Sequence, residues 1–142
     1  MSESSGFMLD FDIKGGDFSS AGTASSKIKN ALKKIGIAPA IIKRVAVATY
    51  EAEINVVAHA YEGKLSAEIF STKILILVED NGPGIPDVEK AMTAGFSTAS
   101  PQVREMGFGA GMGLPNIKRC CDDMQIETEV GVGTKLHLQI NF

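Results

Sequence analysis

Tryptophan is absent from this 142-residue chain, and cysteine occurs only twice, side by side at Cys120 and Cys121. Adjacent cysteines make neither a disulfide framework nor a zinc site, because both need spaced ligands. A basic surplus is missing too: 14 Lys and Arg face 17 Asp and Glu, a formal net charge of -3. An extended nucleic-acid footprint needs the opposite balance, so no direct nucleic-acid partner is expected. No apolar run approaches the roughly 20 residues of a membrane span; the best is Ile74 to Val78. The opening Met1–Gly6 lacks the basic and apolar regions of a signal peptide, so a cytoplasmic protein off the membrane is expected. What is present is ordinary: 44% hydrophobic residues, 22% charged, and a mean hydropathy of +0.10. That composition excludes a disordered tail, and the length suits a single domain over residues 1–142.

Periodicity outlines the elements. Leu9 to Ile13 alternates apolar and polar and predicts a strand ended by Gly15-Gly16. Ala21, Ala24, Ile28, Ala31, Leu32 and Ile35 form a helical stripe that stops at Gly36. Pro39 suits the first turn of a second helix, expected to run to about Tyr61. Leu65, Ala67 and Ile69 alternate with polar residues, and Lys73 to Asp80 is a continuous run fit for a central strand. Ser97 to Gly113 has no period and reads as a long loop. Leu114 to Met124 reads as a helix, and Gln125 to Val130 as a strand. In the last strand Leu136, Leu138, Ile140 and Phe142 point one way, and His137, Gln139 and Asn141 the other. The order implies an α+β, two-layer sandwich: a mostly antiparallel mixed sheet with helices on one face.

Three features depart from that background. The second helix is apolar around most of its circumference, as a buried helix is, yet it contains Glu51 and Asn55. Four residues apart, they share a face about 6 Å from each other along the axis. A buried carboxylate without partners costs several kcal/mol, so the pair is either satisfied in place or used. Glu53 lies on another face and is expected to be solvated. The central strand runs straight into Asp80-Asn81-Gly82-Pro83-Gly84-Ile85, a tight turn that also offers carboxylate acceptors beside room for a flat ring. Then Gly107-Phe-Gly109-Ala-Gly111-Met112-Gly113-Leu114 leads into a helix, where free amides make a phosphate cradle. It matches neither the dinucleotide fingerprint nor a P-loop.

Taken in order, these residues resemble the GHKL (Bergerat-fold) ATPase superfamily. Glu51-x-x-x-Asn55 is similar to its N box, Asp80-x-Gly82-x-Gly84 to its first glycine box, and Gly109-x-Gly111-x-Gly113 to its second. Gly131-x-Gly133-Thr134 is similar to its final box. The short length and the stretch from Glu51 to Tyr61 most resemble bacterial anti-sigma factors and serine/threonine switch kinases. Most sensor histidine kinases carry Asn where Glu51 stands; Glu suits a base that activates a hydroxyl. The resemblance covers the chain from about Lys14 onward.

That resemblance implies roles. Glu51 would be the catalytic base, and Asn55 would ligate Mg²⁺ together with phosphate oxygens. Asp80, Gly82, Gly84, Ile85 and Thr134 would surround adenine, with Asp80 reading it. Gly109, Gly111, Met112, Gly113 and Leu114 would hold the phosphates. Related kinases place a lid arginine before the second glycine box; Arg104 stands in that stretch, at a shifted spacing. The implied activity is transfer of the ATP γ-phosphate to a Ser or Thr of a STAS-domain antagonist, in partner-switching control of transcription. The rivals are an anti-sigma module that sequesters a sigma factor with little kinase activity, and a detached histidine-kinase catalytic domain. Relatives are often dimers, which makes a homodimer a candidate assembly. His59 and His137 read as structural and solvated respectively, and a redox role for the cysteines is not expected.

Overall fold

The computed structural model describes residues 6–85, 87, 88, 92 and 113–142. Strand β1 (Phe7–Lys14) is followed by a 3-10 turn at Phe18–Ser20, then helices α1 (Thr23–Lys34) and α2 (Pro39–His59). Strands β2 (Glu62–Ile69) and β3 (Lys73–Asn81) form a hairpin. Helix α3 (Gly113–Cys120) leads to β4 (Asp123–Glu129) and β5 (Gly133–Asn141). Among the described residues five strands stand in the order β1-β2-β3-β5-β4, paired antiparallel throughout. The α+β sandwich is therefore as expected, with the helices on one side of an open sheet.

Side-chain alternation explains the two layers. Leu65, Ala67, Ile74, Ile76, Val78, Leu136, Leu138 and Ile140 point from the sheet into the core, all at most 5% exposed. Ile28 and Leu32 of α1, Val45, Ala48, Ala52 and Val56 of α2, and Ile117 of α3 close over them. Each fully buried Leu, Ile or Val side chain is worth about 1.5–3 kcal/mol relative to exposure. Helix α2 is the keel: it packs against α1, α3 and the first three strands. This explains why it lacks the narrow apolar stripe of a surface helix. Both edge strands carry charges on the open face, Asp10 and Asp12 on β1 and Asp123 and Glu127 on β4, which discourages edge pairing.

Boundaries moved where tertiary ties intervened. Helix α1 begins at Thr23, two residues after Ala21, and ends on a Schellman pair: Gly36 N–H bonds Lys33 O and Ile37 N–H bonds Leu32 O. The helix expected from Leu114 to Met124 stops at Cys120, and β4 starts at Asp123. The reason is a clamp. Arg44 donates from Nε to the Cys120 carbonyl and pairs with Asp122 at 3.2 Å. Asp122 also gives its amide to Gln139 O and accepts from Asn141 N. Helix propensity in Cys121–Met124 cannot compete with that set. The continuous apolar run of β3 is indeed the central strand, but only its even positions are buried; Leu75 and Leu77 face the open side, half-buried. Among the described residues no helix is long and apolar enough to cross a membrane.

Candidate functional site

Helix α2 presents Glu51 and Asn55 one turn apart, both half-buried. Asn55 meets α3 at its first residue. A Cβ built on Gly113 would stand 2.9 Å from Asn55 Oδ1 and 3.1 Å from Nδ2, so the carboxamide occupies the space a side chain would need. A larger residue at 113 would push the Asn55 carboxamide aside. Helix α3 then runs antiparallel to α2, ending near Arg44, and Glu51 lies within electrostatic reach of Cys120 at that far end. Asn55 thus meets the N-terminus of α3, and Glu51 stands one turn along α2 toward its other end.

The second group lies at the carboxyl end of β3. Asp80 faces Thr134 across the β3–β5 ladder, and its Oδ1 accepts the Thr134 amide at 3.2 Å. Burial pushes the Asp80 carboxyl up from the ordinary carboxylate value of 3.8, and the Thr134 N–H offsets only part of this. The other carboxylate oxygen remains an acceptor of the kind an exocyclic amine satisfies. Gly84 has φ +75, and a Cβ there would lie 2.5 Å from Glu129 O, so the turn is pressed onto the β4–β5 hairpin. Three bonds stitch the two together: Gly82 N to Val132 O, Gly131 N to Pro83 O, and Ile85 N to Thr128 Oγ1.

A family model described as Histidine kinase-like ATPase domain matches residues 17–140. The chain belongs to that family. It is 32% identical to the serine/threonine-protein kinase RsbT of Bacillus subtilis (strain 168), over 76% of this chain and 78% of that protein. It is 37% identical to the anti-sigma F factor of Caldanaerobacter subterraneus subsp. tengcongensis, over 68% of each chain. The anti-sigma F factor of Clostridium kluyveri is 33% identical over 65% of each. The GHKL resemblance and its switch-kinase and anti-sigma branch therefore stand, and membership implies ATP binding.

Within this histidine kinase-like ATPase domain, Asn55 meets Gly113, with Glu51 one turn away on α2, while Asp80 meets Thr134 and the Gly82–Ile85 turn is bonded to the β4–β5 hairpin. Leu114 is buried at 8% exposure with its side chain in the core, which leaves its backbone for any ligand contact. Arg104, Gly109, Gly111 and Met112, with most of the expected loop, lie outside the described residues. The hard, neutral Asn55 oxygen suits Mg²⁺, which keeps several waters and takes phosphate oxygens from a substrate. Among the described residues no group of three His, Cys, Asp or Glu is placed to hold a metal ion.

Two residues correct or extend the sequence reading. Glu53, expected to be solvated, is 3% exposed, and its two carboxylate oxygens accept the Ala24 and Ser25 amides at 3.3 and 3.4 Å. It caps α1 from another helix. The signal was legible in retrospect: α1 opens at Gly22 with no side-chain cap and no acid in its first turn. Thr128, which accepts the Ile85 amide, carries no sequence signal, because nothing in β4 marks one threonine of an alternating strand. His137 lies on the open face with its side chain 43% exposed, as expected, and pairs there with Glu127. Burial lowers the His59 pKa from 6.5, as suits a structural histidine. Burial raises both cysteines, Cys121 to about 12, so neither is a thiolate near neutrality. Lys118 and Arg119 sit exposed in the last turn of α3, at the end away from Gly113, where cations suit the helix dipole.

Proposed function

We propose that this chain is an ATP-dependent protein serine/threonine kinase of the switch-kinase type. It transfers the γ-phosphate to a Ser or Thr of a small STAS-domain antagonist in the cytoplasm. The observation that carries this reading is the packing of Asn55 against Gly113, with Glu51 one turn away. It sets a carboxamide oxygen suited to a metal beside a helix N-terminus, which favours anions, with a carboxylate on the same face of α2. Asp80 supports the choice of adenine, because a carboxylate accepts from its amine and repels the carbonyl that guanine has there.

In this mechanism the substrate hydroxyl attacks the γ-phosphorus. The bond from that phosphorus to its bridging oxygen breaks, ADP leaves, and the hydroxyl proton passes to Glu51. Mg²⁺, when bound, neutralises charge on the phosphate oxygens. Asn55 holds it, while Asp80, Thr134 and the glycine turn fix the base. Arg104 is the proposed lid arginine, and Gly109, Gly111 and Met112 are proposed to complete the phosphate cradle with Gly113 and Leu114.

The anti-sigma F relatives favour a second reading, in which the main work is sequestering a sigma factor. Labelled phosphate transfer from ATP to a STAS-domain partner separates the two. Wild type should transfer, and Asn55→Ala should lose Mg²⁺-dependent nucleotide binding and turnover together. Tight sigma-factor binding by wild type with no transfer to any such partner would replace the kinase with the binding module.

A further inference from the structure

Acids and bases are unevenly divided along this chain. Residues 18–50 hold six of its 14 basic residues and none of its 17 acids, so the remainder carries eight bases against 17 acids. That stretch contains α1, its connection to α2 and the first half of α2. Of the six, Arg44 is paired with Asp122. Lys27, Lys29, Lys33, Lys34 and Lys43 are exposed, and among the described residues they have no ion pair.

The four lysines of α1 take up its whole outer side. Ile28 and Leu32, fully buried, mark the core side; at 100° per residue the lysines, with Ser26 and Asn30, fill the opposite arc. Ser25 Oγ donates to Ala46 O at 2.9 Å, which fixes α1 alongside α2. The short connection over residues 35–38 makes the two helices antiparallel neighbours. Lys29, one turn beyond Ser25, therefore comes level with Lys43, about one turn before Ala46. From Lys43 the less buried side of α2 runs through Val47 to Glu51 in steps of four residues, with Tyr50 exposed beside them. Lys43 and Glu51 are about 12 Å apart along the axis.

The needs of the fold do not account for this pattern. Lys29 and Lys33 are a like-charge pair at i, i+4, which weakens a helix. The helix dipole suits Lys33 and Lys34 in the last turn of α1, but offers nothing to Lys27 or Lys43. A face of one sign without internal partners is complementary to an outside face of the other sign. Ile35, 58% exposed and next to Lys34, sets an apolar anchor within the charged rim, as protein interfaces do. A bilayer is the poorer fit, because the apolar side of α1 is enclosed in the core and has nothing to insert.

We propose that the lysine face of α1, continued by Lys43, is the docking surface for an acidic patch on the protein substrate. This deepens the kinase reading above and rests on it. Recognition of the protein is made on α1 and chemistry at Glu51. The substrate class is then a protein whose phosphoacceptor hydroxyl stands about 12 Å or more from an acidic surface.

The test measures labelled phosphate transfer to the STAS-domain partner, with partner and ATP varied separately, and calorimetric titration of that partner at low and high salt. In the triple variant Lys29→Gln, Lys33→Gln, Lys43→Gln the KM for the partner should rise roughly tenfold, as loss of three partly screened charge pairs gives. Its kcat and its KM for ATP should stay at wild-type values, and its melting temperature should not fall. Partner affinity of wild type should drop with salt, and that of the variant should respond much less. The same three lysines changed to Arg should behave as wild type. A control triple, Lys14→Gln, Lys64→Gln, Lys135→Gln, on the open side of the sheet should leave the partner KM unchanged. An unchanged partner KM in the first triple, or an equal rise in the control, overturns the docking surface while the kinase stands. Phosphatidylserine–phosphatidylcholine vesicles or duplex DNA bound more tightly than the partner, and released by the first triple, would give the face to another ligand and overturn it as well. Partner binding without transfer would remove the kinase reading alone, because the titrations still read docking: weakened binding by the first triple supports the surface, and unaltered binding overturns it.

Discussion

Glu51 and Glu53 stand two residues apart on one buried helix, and the structure gives them opposite circumstances. Glu53 is almost fully enclosed, and its oxygens are taken up by the two amides that open α1. Glu51 is half-buried on the face that carries Asn55. Burial by itself would nominate Glu53 as the unusual acid. Satisfaction reverses the ranking, because a carboxylate whose lone pairs are engaged by backbone donors has structural work already, whereas a half-exposed one on the Asn55 face keeps acceptor capacity. Asp80 is intermediate: one oxygen is held by Thr134, and the other is available.

The largest effect that would sharpen this contrast is on catalysis. Glu51→Gln should lower phosphoryl transfer by roughly 10²–10⁴-fold, with nucleotide affinity and melting temperature close to wild type. Glu53→Gln should do the reverse, leaving transfer per folded molecule intact. If both variants lose transfer equally at full folding, the division of labour is wrong.

Stability comes next. Glu53→Ala removes the cap of α1 and leaves two enclosed amides without an acceptor, a cost of about 2–4 kcal/mol. Urea unfolding should show a lower midpoint with an unchanged slope, and Glu51→Ala should show a much smaller shift.

Asp80→Asn should weaken ATP by about ten- to hundredfold, the range for a hydrogen bond to a charged group. The sign of its effect on the free protein differs from that of Glu53. The folded pKa of Asp80 lies above 3.8, so the folded state resists ionisation there, and stability from this group falls as pH rises through that window. Replacing it with a neutral amide should not destabilise the free chain at neutral pH. ATP affinity of wild type should be lost as pH falls through the raised pKa, a dependence that Asp80→Asn removes. Melting and titration across pH check both halves.

The smallest effect belongs to His59, at the end of the same helix. Its folded pKa lies below 6.5, so the unfolded chain binds more protons just below that value, and stability should fall on acidification through it. In His59→Gln the melting temperature should lose this slope between neutrality and the lowered pKa. An unchanged slope would assign the acid sensitivity to another group.

The element order, the core faces of β2 and β5, and the four box motifs were all legible in the sequence, because each depends on a local period or a short spacing. Local information failed where a distant partner supplied the decisive contact. The enclosure of Glu53 has no local signal, because helix angle alone separates it from Glu51 and the amides it serves come from a segment 28 and 29 residues earlier. The helix ending at Cys120 was overextended because the residue that stops it, Arg44, lies 76 positions away. Thr128 could not be seen at all, since its part in holding the turn is the meeting of the Ile85 amide with a hydroxyl 43 positions away. The chain's own pattern thus determined which segments are strands and helices and which residue types sit at their ends. Only the tertiary structure decided which polar groups are already satisfied and which are left for a ligand, because hydrogen bonds between segments far apart in sequence carry no period that a single segment can display.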